Sequence, residues 1–226
     1  MAPEVHSLLL DYYGSLSDAI FVVNAEALFE TANQSENTFA IIPFQSLSAK
    51  WKVIELDGTS VFAKNFSNVE YPLDFDLFLS CNDESAWLLN AMNLMKLYSN
   101  RDEEKMTSVL ITGTTALTRA TADKMEKLGI NFPAEKIIDW FDQSDIKHVS
   151  SETSFYDGCP YPNAYQTDLS FCSRPQYLDL FNFLGVNVIE LTGNHLLDKG
   201  VKPFEETLAL FNSYGFQYYA GGFTIE

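Results

Sequence analysis

Three short polar clusters in the second half of the chain carry the residue types that metal binding and proton transfer use. Gly193-Asn194-His195 is followed by Asp198, Ser151 precedes Glu152, and Gly113 precedes Thr114. Each cluster follows an apolar run that reads as a β-strand, and in open α/β sheets ligands bind beyond the carboxyl ends of strands. Asn, His and carboxylate groups gathered there offer donors to a hard or borderline divalent metal. A histidine within reach of a carboxylate can also move a proton. Every one of these residues has a purely structural reading as well. Glu152 can cap a loop, Asn194 can adopt a left-handed turn after Gly193, and Asp198 can cap the helix that follows. The Gly-Asn-His cluster is the more specific signal, because a glycine there lets the chain turn sharply and leaves Asn and His at the top of the sheet.

The elements that must position these residues alternate regularly. Thr107–Gly113, Lys147–Glu152, Val186–Leu191 and Phe216–Tyr219 read as strands. Ala120–Leu128, Ala134–Phe141, Tyr177–Leu184 and Pro203–Tyr214 read as helices between them. Strands and helices in this rhythm imply an α/β fold with a largely parallel or mixed sheet. Upstream, Ala19–Asn24, Thr38–Phe44 and Trp51–Leu56 read as strands, Ala25–Ala32 as a short helix, and Asp57-Gly58 as a turn. Apolar residues from Trp87 to Tyr98 recur at helical spacing, so Glu84–Ser99 is expected to be a helix. The charged run Asn100–Lys105 marks the expected boundary between segments 1–105 and 106–226.

Composition bounds what this scaffold can meet. The chain has 226 residues, 14 basic and 31 acidic, for a formal charge of −17, and 46% of it is hydrophobic. It can bury a substantial core and is too apolar for a disordered acidic chain. Nucleic acid is excluded as a partner, because neutralising phosphates takes clustered Lys and Arg, and an anionic membrane surface is disfavoured for the same reason. No apolar run reaches transmembrane length, and the start Met-Ala-Pro-Glu-Val-His lacks the features of a signal peptide. Cys159 and Cys172 flank a Pro- and Tyr-rich loop. Spacing leaves open whether they are bridged, which would imply an oxidising compartment, or are two free thiols. Neither belongs to a C-x-x-C pair.

Residues from about 107 to 226 resemble the first half of the bacterial capsule-synthesis, or poly-γ-glutamate-synthesis, proteins (CapA-like), whose domain has a metallophosphatase-like fold. The resemblance is carried by Val186-Asn-Val-Ile-Glu-Leu-Thr-Gly-Asn-His-Leu-Leu-Asp-Lys-Gly200 and continues through the helix to Tyr214–Gly222. Asp145–Glu152 is similar to a second motif, in which a strand ends in glutamate. The resemblance implies that Glu152, Asn194 and His195 line a metal or phosphate-like site. Asn194 would be a ligand of Mn²⁺ or Zn²⁺ and His195 a proton or hydrogen-bond donor. Glu152 would serve as ligand or catalytic group, and Asp198 as ligand or support of the turn.

This chain departs from the family pattern in two places. The first motif, a strand ending in Gly-Asp, here reads Gly113-Thr114, and a neutral hydroxyl is a poor substitute for a carboxylate toward a hard metal. The later histidine motifs have no counterpart before Glu226, so the expectation is a fragment or a site completed by another copy. Phe39–Phe44 with Lys50–Gly58 resembles the end of a substrate-binding-protein-like module.

The resulting expectation is a cell-envelope, extracytoplasmic protein of capsule or poly-γ-glutamate synthesis or export, with a degenerate metallophosphatase-like site. If active, it would be a metal-assisted hydrolase or transferase on a phosphoester or amide. The alternatives are a non-catalytic scaffold and a solute-binding module. Its partner would be an anionic polymer or the membrane machinery that makes it. With −17 on the chain, such a polymer needs a bridging cation or a local pocket using residues such as Arg119, Lys199 and Lys202.

Overall fold

The computed structural model describes residues 1–34, 36–68, 71–76 and 99–221. They divide into two compact units, Met1–Val61 with Asn65–Met106 and Phe62–Lys64 with Thr107–Glu226. The expected helix at 84–99 lies outside the described residues, apart from Ser99. Among the described residues no helix is long and apolar enough to cross a membrane.

The first unit contains α1 (Pro3–Tyr13) and α2 (Ala25–Asn33). Helix α2 starts where the sequence places it, because the Asn24 side chain accepts a hydrogen bond from the Ala27 N–H at 3.0 Å and satisfies an otherwise orphaned donor. The three upstream runs read as strands form no ladder, and Phe44 at the end of the second opens a 3-10 turn; the unit's described pairing is the single antiparallel bridge Leu56–Thr59 around Asp57-Gly58. Their backbone groups are satisfied elsewhere. The Met1 ammonium donates to Phe21 O at 2.6 Å, Val23 N–H to Met1 O at 3.0 Å, and Ala2 N–H to Ile41 O at 3.4 Å. Two of these segments thus pair with the buried chain start and not with each other.

In the second unit the order is β1 (Val109–Thr115), α3 (Arg119–Leu128), α4 (Ile138–Asp142), β2 (Ile146–Ser151), α5 (Leu178–Phe183), β3 (Val188–Glu190), α6 (Val201–Tyr214) and β4 (Gln217–Tyr219). The four strands form an all-parallel sheet in the order β1-β2-β3-β4, so the fold class is α/β, as the alternation of elements implied. The helix expected over Ala134–Phe141 is instead a 3-10 turn at Phe132–Ala134 followed by the short α4. Breaking it lets both Ala134 and Phe141 reach the core.

One face of the sheet is buried. Val149 and Ile189 share a core with Met125 of α3, Phe181 of α5, and Phe204 and Phe211 of α6. Phe155, Phe181, Phe211 and Phe216 interlock at its centre, with ring centroids 5.9–6.4 Å apart. In α6 the buried positions Phe204, Thr207 and Phe211 recur at helical spacing. The opposite face carries Val109 and Ile111, 52% and 71% exposed.

Two polar anchors hold the strand ends in register. Asp145, just before β2, accepts from the Ser108 N–H and hydroxyl, both at 2.8 Å, and pairs with Lys64 at 2.6 Å. The Lys64 ammonium, followed by the Ser108 donors, holds the Asp145 carboxyl well below the usual carboxylate range. At the other end, buried Thr207 accepts the Phe155 N–H at 2.7 Å and back-bonds to Pro203 O at 2.8 Å. This ties α6 to the segment that follows β2.

Thr207→Val keeps the shape but leaves the buried Phe155 N–H without its acceptor, and should cost about 1–3 kcal/mol in urea unfolding. A variant as stable as the parent would remove this anchor from the account. For Asp145, a carboxyl lowered in the folded state contributes stability above its unfolded-state pKa and loses it as pH falls. The stability difference between parent and Asp145→Asn should therefore hold steady near neutrality and shrink below about pH 4, read by thermal melting at several pH values.

Candidate functional site

The site forms where the ends of β2 and β3 lie side by side, with Ser150 opposite Glu190 in the ladder. Beyond those ends the two chains stay together, through a bridge between Thr153 and His195. Gly193 makes this approach feasible. A Cβ at that position would sit 2.4 Å from Ser151 O and 2.5 Å from Glu152 Cα, closer than any real side chain comes to backbone. The glycine is therefore required by close approach, and the approach sets Glu152 against the Asn194-His195 turn. Strand β1 joins at the same level, with Thr115 opposite Ser151 and the Glu152 N–H donating to Thr115 O at 3.1 Å.

Within this junction three of the four expected site residues meet. His195 Nδ1 lies 2.7 Å from Asp198 Oδ2, and Nε2 lies 3.9 Å from Glu152 Oε1. Asp198 Oδ2 also accepts the Phe171 N–H at 2.7 Å. An ionised carboxylate only accepts hydrogen bonds, so Nδ1 carries the proton toward Asp198, and Nε2 is the ring nitrogen turned to Glu152. The Phe171 and imidazole rings pack edge-to-face, with centroids 4.7 Å apart. Side-chain exposures of 21% for His195, 16% for Glu152 and 20% for Asp198 leave the cluster sheltered yet reachable by solvent.

Asn194, the expected metal ligand, is exposed beside this cluster. Thr114 is also exposed, level with Ser150 across the β1–β2 ladder, past an irregularity in the register. Asp198 orients the imidazole and holds Phe171, so its nearest oxygen already has two partners. Among the described residues no three His, Cys, Asp or Glu side chains are arranged to hold a metal ion. The donor set that meets there is one imidazole and two carboxylates, one of them already engaged by two donors. It fits a histidine aimed by one carboxylate and faced by another, the arrangement by which an imidazole takes up or delivers a proton in a fixed direction. Of the other two histidines, His148 bonds Tyr219 Oη at 2.9 Å across the sheet, and His6 lies on α1 of the first unit.

Sequence reasoning missed Phe171 and the support beneath it. Cys159 and Cys172 are joined by a disulfide, with Cα atoms 5.9 Å apart, which settles the open question about these cysteines and brings Phe171 to His195. Next to it, buried Ser173 donates to Leu117 O at 3.0 Å and meets the Thr153 hydroxyl at 2.8 Å, joining the disulfide loop to the chain after β2. The adjacency of Phe171 to Cys172 was the signal available in sequence, but its target is 24 residues away.

Gly193→Ala tests the close approach. The added methyl has rigid backbone in its way and should destabilise the protein by about 1–3 kcal/mol. It should also move the His195 ring resonances in NMR spectra. An alanine variant of parental stability with unshifted His195 signals would refute the constraint.

No curated protein matches the chain. A family model described as bacterial capsule synthesis protein PGA_cap matches residues 108–223, just over half of the chain, covering the sheet, the Asn-His turn and the disulfide loop. The chain belongs to this bacterial capsule synthesis family.

Proposed function

We propose that this protein is an extracytoplasmic component of capsule or poly-γ-glutamate synthesis or export, and that Glu152, His195 and Asp198 are its working centre. Membership of the capsule synthesis family supports the biological setting. The disulfide supports the location, since such bonds persist in oxidising compartments. The single observation behind the chemistry is the His195 imidazole, held at Nδ1 by Asp198 and presenting Nε2 toward Glu152 across 3.9 Å. That gap is longer than a direct hydrogen bond and too short for a water to lie between the groups, so Nε2 is open to a hydroxyl that approaches from beside the pair.

In this reading the reaction is hydrolysis or transfer at an amide or phosphoester of an anionic polymer. His195 Nε2 takes a proton from the attacking group and returns it to the leaving group. Asp198 is a positioning residue that holds the tautomer, and Glu152 steadies the imidazolium that forms. A metallophosphatase-like descent of the domain is part of the same proposal, with the site degenerate at Thr114. That threonine also motivates the second reading, a non-catalytic scaffold that keeps the fold without the chemistry.

The test follows the chain length of poly-γ-glutamate by mass analysis, with turnover of a phosphodiester as a second arm. The parent protein should act on one of them, and His195→Gln should lower the rate by about 100-fold or more. Asp198→Asn should lower kcat and leave KM near the parental value. Failure of the parent on both substrates would overturn the catalytic reading in favour of the scaffold. Calorimetric uptake of Mn²⁺ or Zn²⁺ that Asn194→Ala abolishes would replace proton transfer by a metal-centred site.

A further inference from the structure

Phe171 touches a second feature besides His195. The Arg119 guanidinium lies over its ring, 5.8 Å from the centroid, and Arg119 helps line a cavity of about 170 Å³. The cavity is bounded by Arg119, Gln166, Asp168, Arg174, Lys199 and the Cys159–Cys172 bridge. Three of the eight basic residues in positions 106–226 thus face one small space on a chain of charge −17.

Their partners distinguish them. Arg174 is committed to Glu126 at 2.5 Å, where Tyr177 and Gln176 also donate. Lys199 Nζ donates to the Ser170 hydroxyl at 2.7 Å, and among the described residues neither Lys199 nor Arg119 has a carboxylate partner. Asp168 is the one carboxylate in the lining. It is exposed, and its Oδ1 accepts the Ser170 N–H at 3.2 Å, while Gln166 donates to the Asp168 and Ser170 carbonyls. Arg119 holds its place with φ at +49°, a left-handed backbone that a side chain adopts only when its surroundings enforce it.

We propose that this cavity binds a single oxyanion group, a carboxylate or a phosphate, through Arg119 and Lys199, and that the disulfide keeps its wall in place. A guanidinium offers paired donors that match both anions, and a cleft concentrates the field of two unneutralised cations. The volume sets the ligand's size. A cavity of about 150 Å³ holds a benzene-sized molecule, so this one admits an acid group with a few carbons and not a run of polymer. Around it, the acidic surface repels polyanions over about a Debye length of 8 Å. The cavity thus offers an acidic ligand a local point of attachment. The site stands on its own geometry and does not depend on the identity of any polymer or on chemistry at His195.

The test is calorimetric titration of the intact chain with γ-glutamylglutamate, with inorganic phosphate, and with the carboxylate-free triamide of the dipeptide. Saturable binding of the dipeptide assigns the site to carboxylates, and of phosphate to phosphoryl groups; the triamide should not bind. Arg119→Gln and Lys199→Gln should each weaken binding by about tenfold or more. The double variant Cys159→Ser/Cys172→Ser should weaken it too, with circular dichroism confirming an intact fold. Absence of saturable binding by either anion, or binding that survives both charge-removing substitutions, would overturn the proposal. Binding is read without polymer and without turnover, so this result stands apart from the fate of the catalytic reading.

Discussion

The close passage of backbone past backbone at Gly193 is the constraint on which the arrangement at the second unit's sheet edge depends. Parallel strands place their carboxyl ends at the same edge, so the loops leaving β2 and β3 compete for one small volume. With a Cβ-free residue at 193, the outgoing chain lies against Ser151 and Glu152 and turns at once into Asn194-His195. A side chain there would force the turn off Ser151 and Glu152 and so disturb the approach of the imidazole to Glu152. The bridge from Thr153 to His195 and the bond from Glu152 to Thr115 follow from the same contact.

A second layer of structure protects that geometry from the side that the sheet cannot reach. The disulfide loop returns Phe171 to the imidazole, and its backbone N–H shares the Asp198 oxygen that holds Nδ1. Asp198 is thereby fixed by two donors, which restrains the ring it orients. Ser173, which bonds Thr153 and Leu117, secures one end of the loop, and Thr207 in α6 holds Phe155 before the other, so buried hydrogen bonds flank the disulfide on both sides. Such bonds are effective only when each member is satisfied, because an unpaired polar group in low dielectric is costly.

Charge acts on a longer scale. A surface of −17 repels polyanions at a distance, while Arg119 and Lys199 are gathered beside the disulfide loop. The basic residues are few, so their position matters more than their number. Arg119 and Lys199 lie 80 positions apart in the chain and line one cavity because the start of α3 and the turn after Asp198 lie at the same edge of the sheet.

Much of this was legible before any coordinates. The alternation from Val109 to Tyr219 sufficed for a parallel α/β sheet, because each buried strand and amphipathic helix carries its own period of apolar residues. That Glu152, His195 and Asp198 lie near one strand edge was legible for the same local reason: strand ends with sharp turns can be read from neighbouring residues. The upstream strands were misread because apolar runs such as Ala19–Asn24 look alike whether they pair in a sheet or wrap the chain start, and pairing partners are not local. Asp198 could be named as a carboxylate near His195, but its role as orienter depended on Phe171, brought in by a disulfide that spacing alone left open. Residue type and local period are properties of the sequence, and they determined the sheet and the chemistry available at its edge. Which groups satisfy one another is decided by long-range packing, and only the tertiary structure turned those residues into an aimed histidine beside a basic cavity.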